Sequence, residues 1–183
     1  VKTTLIALAL VLFACGEQTG TSSTNSSAAA SGAKAAGGAL KAGAPAPAIK
    51  LQLADGSSVD LASKKGSNVL VYFYPKDDTP GCTVEAQGIR DAWADFKAAG
   101  IEVYGVSTQD AASHTSFSEK HNLPFPLVVD VGGEVAKAFG VPLKNGLAAR
   151  QSFLIGKDGN VKAVWESVSP DEHAKDVLKA AAP

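Results

Sequence analysis

The stretch "NVLVYFYPKDDTPGCTVEAQGIRDAWADFKAAG", Asn68 to Gly100, decides the fold. Its opening, Asn68 to Pro75, is apolar and aromatic without alternation, as in a strand covered on both faces, and Pro75 ends it. After the Thr79-Pro80-Gly81 turn the pattern becomes helical from Cys82 to Ala99. Ala86, Ile89, Trp93 and Phe96 share one face, Arg90, Asp91, Asp95 and Lys97 lie elsewhere, and Gly100 stops the run. "IEVYGVS", Ile101 to Ser107, predicts another buried strand.

The same alternation extends outward on both sides. Ala44 to Leu61 reads as two short strands around an Asp55–Gly56 turn. Residues 110–121 predict a helix, Pro126 to Asp130 a strand and Glu134 to Phe139 a short helix. Arg150 to Val168 gives two strands around Asp158–Gly159, and Asp171 to Ala182 a closing helix. The expectation is an α/β fold with a central mixed β-sheet flanked by helices. No glycine-rich nucleotide-binding motif follows any strand. The 183 residues carry a formal charge of −1 with no basic cluster, which speaks against a nucleic-acid surface.

The N-terminal region has a different character. Lys2 precedes an unbroken apolar run from Leu5 to Ala14, shorter than the ~20 residues that cross a bilayer, so it reads as a secretory signal. "LFAC", Leu12 to Cys15, resembles a bacterial lipobox, which implies cleavage before Cys15 and a lipid thioether on its sulfur. Gly16 follows, not the aspartate that retains such proteins at the inner membrane, so the expected place is the periplasm, anchored to the outer membrane. Residues 16–44 are almost wholly Gly, Ala, Ser, Thr and Asn, too polar and small to build a core. They read as a tether with a reach of roughly 30 Å. The expected organisation is a signal over 1–14, lipidated Cys15 and tether over 15–44, and one domain over 45–183.

Cys82 is the second of only two cysteines, and it sits in the first turn of its helix. There the unsatisfied N–H groups and the helix dipole favour a thiolate. Thr79, three residues earlier, can turn its hydroxyl towards the same opening. Taken singly these residues have plainer readings: an inert buried Cys82, Thr79 as a helix cap, Arg150 as a surface charge and Glu85 as a solvated one.

Pro75, Thr79 and Cys82 together spell P-x-x-x-T-x-x-C, and "FYPKDDTPGCTVEA" resembles the peroxiredoxin Q branch of the peroxiredoxins, also called bacterioferritin comigratory protein. "GIEVYGVS", "LPFPLVVD" and "RQSFLIGKDGNV" extend the resemblance over about residues 42–182. It implies a thioredoxin-like fold and a thiol-dependent peroxidase with no metal or organic cofactor. Cys82 would be the thiolate that attacks a peroxide, and Arg150 would hold both thiolate and peroxide. Thr79 would polarise the substrate, Pro75 would shield the sulfur, and the N–H of Thr83 and its neighbours would steady the departing charge.

Many members of that branch carry a second cysteine five residues further on, where this chain has Gln87. With Cys15 lipidated, the expected partner is an external thiol, glutathione or a thioredoxin-like protein, and the expected state a monomer. A dithiol oxidoreductase would need C-x-x-C, which is absent. The competing reading is a non-catalytic module that binds a protein partner, or a metal through Cys82 and His114 or His121, two histidines placed by the sequence on an exposed helix.

Overall fold

The computed structural model describes residues 40–182. Cys15, the apolar run before it and the tether up to residue 39 lie outside them. The strands are β1 (Lys50–Gln52), β2 (Ser58–Asp60), β3 (Asn68–Phe73), β4 (Ile101–Ser107), β5 (Leu127–Val129), β6 (Leu143–Lys144), β7 (Leu147–Ala148), β8 (Gln151–Ile155) and β9 (Val161–Trp165). The helices are α1 (Pro80–Asp91), α2 (Trp93–Ala98), α3 (Ala111–His121), α4 (Glu134–Phe139) and α5 (His173–Ala181).

A five-stranded sheet of order β5-β4-β3-β8-β9 forms the centre. β3, β4 and β5 run parallel, whereas β8 is antiparallel to β3 and β9 to β8, so the sheet is mixed, as expected. The unbroken apolar run of β3 is explained by its central place, since successive residues serve opposite faces. Val69, Val71 and Phe73 join a core with Leu51, Val106, Phe139 and Phe153, under α4 and the β1–β2 hairpin. Leu70, Tyr72 and Tyr74 join a second core with Cys82, Ala86, Ile89, Phe96, Phe117 and Val177, under α1, α2, α3 and α5. Phe73, Phe139 and Phe153 pack ring against ring, with centroids 5.0–5.9 Å apart. Each such buried side chain contributes about 1.5–3 kcal/mol.

Several details depart from the sequence reading or add to it. The helix expected over 82–99 starts earlier, with Pro80 at its first position, where its missing N–H costs nothing. It also divides at Ala92, whose ψ of 10° tightens the chain before α2 turns Phe96 fully into the core. The segment between Val141 and Ala149 contains the β6–β7 hairpin, closed by Asn145 and Gly146, both at positive φ (53° and 76°). Residues Leu40–Ala44, assigned to the tether, are knitted to the domain: Leu40 N–H donates to Phe139 O at 3.4 Å and Gly43 N–H to Val161 O at 2.8 Å.

Gly105 of β4 stands opposite Tyr72 of β3. A Cβ there would lie 2.7 Å from the Tyr72 hydroxyl oxygen and 2.8 Å from Leu127 Cδ2. Gly105→Ala is therefore expected to lower stability by about 1–3 kcal/mol, the usual cost of overpacking, as measured by urea unfolding.

Candidate active site

The end of β3 and the start of α1 place the sulfur. Thr79 occupies the N-cap position with extended backbone, followed by Pro80, Gly81 and Cys82 in the first helical turn. Pro80 has no N–H, and the Thr83 N–H is engaged at 2.9 Å by the Thr79 carbonyl. The amides left without an intrahelical partner are those of Gly81 and Cys82, so these replace Thr83 as the N–H groups available to an anion. Cys82 is 2% exposed.

Arg150, the residue before β8, reaches this turn. Its Nη2 donates to Cys82 Sγ at 3.1 Å, and its Nη1 pairs with Glu85 Oε2. Gly81 makes room for it, because a Cβ there would lie 3.3 Å from Arg150 Nη2. Partial burial works against the charge of Arg150, but the Glu85 carboxylate and the Cys82 sulfur outweigh it and raise the guanidinium above its ordinary value. Arg150 is thus no free surface charge, and Glu85, expected to be solvated, is completely buried. The other oxygen of Glu85, Oε1, lies 2.9 Å from Nδ1 of His173, the first residue of α5. That approach is close but not aligned as a hydrogen bond. Among the described residues, Glu85 Oε1 and both ring nitrogens of His173 have no aligned partner.

The loop between β3 and α1 is fastened to α3. Asp77, 6% exposed, accepts from the Tyr74 hydroxyl at 2.8 Å and from Ser113 Oγ at 2.6 Å. His114 lies with Nδ1 3.0 Å from Asp77 Oδ2 and Nε2 3.1 Å from the Val128 carbonyl. Asp78, at a left-handed φ of 55°, pairs with Lys120 at 2.9 Å and with His121 Nε2 at 2.8 Å. Nδ1 of His121 faces Gln87 Nε2 of α1 at 3.2 Å. His114 is therefore fully buried and both of its nitrogens are engaged, contrary to the exposed helix face expected for it. No three of His, Cys, Asp and Glu among the described residues converge to hold a metal. Thr79 neither caps the helix nor reaches the sulfur; its hydroxyl donates to the Lys76 carbonyl at 2.9 Å. Pro75 is half-buried at the end of β3.

Residues 42–164 match the AhpC/TSA family. The chain belongs to that family. Within it, the chain sits in the peroxiredoxin Q branch. It is 43% identical over 145 residues to the chloroplastic peroxiredoxin Q of Oryza sativa subsp. japonica, covering 78% of this chain and 67% of that one. With a bcp-type peroxiredoxin of Coxiella burnetii it shares 40% identity over 146 residues, 76% of this chain and 97% of the other. Among solved structures, peroxidoxin BcpB of Mycobacterium tuberculosis superposes with a TM-score of 0.72 at 32% identity, covering 78% and 96% of the two chains. The Xanthomonas campestris bacterioferritin comigratory protein, studied for alkyl peroxide reduction, gives 0.71 at 35%, covering 76% and 96%. The fold is thioredoxin-like, and the chain is a peroxiredoxin, a thiol-dependent peroxidase.

In this peroxiredoxin the sequence reading missed Glu85 and His173. Glu85 carried a signal, for Cys82, Glu85, Ala86 and Ile89 form one helical stripe and all are buried. His173 gave none, because its place beside Glu85 depends on how α5 packs.

Burial alone would raise Asp77, but bonds from His114, Ser113 and Tyr74 bring it below the usual carboxylate range. A depressed carboxyl stabilises the fold above its unfolded value, about 3.9, and loses that contribution as pH falls through the lower folded value. Asp77→Asn is therefore expected to cost about 1–3 kcal/mol at neutral pH, because the buried groups bonded to Asp77 lose a charged acceptor. In urea unfolding at successive pH values, the deficit should shrink on acidification.

Proposed function

We propose that Cys82 is the peroxidatic thiolate of a one-cysteine enzyme that reduces hydrogen peroxide and small organic hydroperoxides and is regenerated by an external thiol. The observation that carries this reading is the Arg150 Nη2 contact, 3.1 Å from Cys82 Sγ, at the open N-terminus of α1. Two sources of positive potential, guanidinium and helix end, bear on one sulfur and offset negative charge that develops there.

The thiolate attacks the distal peroxide oxygen and the O–O bond breaks. Sulfur is oxidised by two electrons to a sulfenic acid, and the departing alkoxide or hydroxide takes a proton to leave as alcohol or water. Arg150 and the free N–H groups of Gly81 and Cys82 offset the charge that moves onto that oxygen. Thr79 already donates to Lys76, so it meets the peroxide as an acceptor, taking the substrate O–H and orienting it. Pro75 walls off water at the end of β3.

Cys82 is the free cysteine of the described residues, and Gln87 occupies the position five residues on. A first external thiol then condenses with the sulfenic acid to release water and form a mixed disulfide, and a second releases Cys82 and leaves as the disulfide. Glutathione or a thioredoxin-like protein fits this role. The enzyme acts as a monomer, so the resolving thiol comes from a separate molecule. Residues 1–14 and Cys15 support lipid anchoring in the periplasm, with the reductant drawn from that compartment.

Single-turnover peroxide consumption with dimedone trapping tests the assignment. One peroxide is lost per chain with the adduct on Cys82, Cys82→Ser loses the burst, and Arg150→Ala slows it about 10²–10³-fold. Continued turnover requires added thiol. Steady turnover without any added thiol, or a Cys15–Cys82 disulfide formed during turnover of the full chain, overturns the one-cysteine reading.

A further inference from the structure

We propose that His173 is a positioning residue for peroxide reduction, holding Glu85 so that Glu85 in turn holds Arg150 against the Cys82 sulfur. This rests on the peroxidase reading of Cys82 and names a part of the site that none of its motif residues supplies.

Four side chains from three parts of the fold, α1, the residue before β8 and the start of α5, form one line. Cys82 Sγ accepts from Arg150 Nη2, Arg150 Nη1 pairs with Glu85 Oε2, and Glu85 Oε1 faces His173 Nδ1 at 2.9 Å. Glu85 and His173 both have 0% side-chain exposure, so bulk solvent does not reach the second carboxylate oxygen. An ionised carboxylate held there needs donors on both oxygens, because leaving one unserved costs much of its desolvation. Arg150 serves one. The other has His173 within reach, and a small rotation of ring or carboxylate aligns the Nδ1 proton with it.

The imidazole is itself held. It sits edge-on to Tyr72 at 5.9 Å and to Trp165 at 6.2 Å between ring centroids. The titratable groups in contact with it are Glu85 of α1, at 2.9 Å, and Tyr72 of β3, ring against ring, and through Glu85 the line continues to Arg150 and Cys82. Tyr72 stays a neutral phenol, since burial, Glu85 and Cys82 all push it well above its usual range. Within this set His173 Nδ1 is the group placed 2.9 Å from Glu85 Oε1. Without it the carboxylate turns away to seek another donor, and the Arg150 fork loses its second anchor. The guanidinium then no longer stands in one place before the sulfur. The role is indirect, as His173 touches neither substrate nor sulfur.

The test has two arms on the full chain. The first is imidazole 15N–1H correlation NMR of the wild type, assigned with His173→Phe. The expected result is a proton on Nδ1 of His173 that shifts when Glu85 is changed to Gln. The second compares dimedone-trapped sulfenic acid formation across pH. His173→Phe, which keeps the ring packing and removes the donor, should slow formation about tenfold and move its pH midpoint upward. His173→Asn, whose amide restores an N–H near the Nδ1 position, should recover most of both.

A proton confined to Nε2, or a His173→Phe variant with wild-type rate and pH midpoint, overturns the proposal. If that variant does not fold, the tautomer and the Glu85→Gln shift in folded protein decide it, with His173 assigned by elimination against His114 and His121 variants. A wild type that forms no sulfenic acid would instead sink the peroxidase reading, while the NMR arm still reports on the pairing of His173 with Glu85.

Discussion

Glu85 carries a carboxylate into a place closed to bulk solvent, and what that demands organises everything around the sulfur. Desolvating such a group costs several kcal/mol unless partners of opposite charge are fixed beside it. The partner is Arg150, brought from the far end of the chain by β8, and Arg150 has a second nitrogen to spare for Cys82. The guanidinium fork is planar and rigid, so anchoring one arm on the carboxylate aims the other. A lysine would neutralise Glu85 without that coupling. The short path from Cys82 to Glu85, one turn of α1, means the helix itself sets the spacing that the fork has to span.

The loop before α1 meets a different demand. Asp78 holds a left-handed conformation that few residues other than glycine adopt, and the chain must turn sharply from β3 into α1. Cross-links to α3 hold that turn: Asp77 to Ser113 and His114, Asp78 to Lys120 and His121. The two histidines stand two turns apart on one side of α3 and grip consecutive aspartates. A loop bound this way presents the helix start in one arrangement, which is what a preorganised anion site requires.

How much of this was legible can be judged residue by residue. The strand, turn and helix around Cys82 were readable because each rests on local pattern: an apolar run, a Pro-Gly turn and a 3.6-residue stripe. Pro75, Thr79, Cys82 and Arg150 stood out through their motifs, and the fold order carried the mixed sheet. Glu85 was readable in principle, as it shares the stripe of Cys82, but a charge on a buried stripe is recognised only once its partner is known. That partner lies 65 positions away. His114 and His121 sit in a polar helix that looks solvated, and their burial comes from aspartates outside it. The break at Ala92 has no glycine or proline to announce it, being imposed by the fit of Phe96 into the core. His173 depends wholly on tertiary packing.

The path by which the chain joins the domain bears on mechanics as well as packing. Leu40 packs against the core on one face of the sheet, and Cys82 belongs to the core on the other. The hydrogen bonds at the junction run to Phe139 at the end of α4 and to Val161 of β9, an edge strand. Tension applied upstream of Leu40 is therefore borne by an edge strand and a short helix, with the sheet between the load and the sulfur. Close-packed interiors transmit strain, and β9 is hydrogen-bonded to β8, the strand that Arg150 precedes, so a load on that edge has a short path to the arginine that faces Cys82.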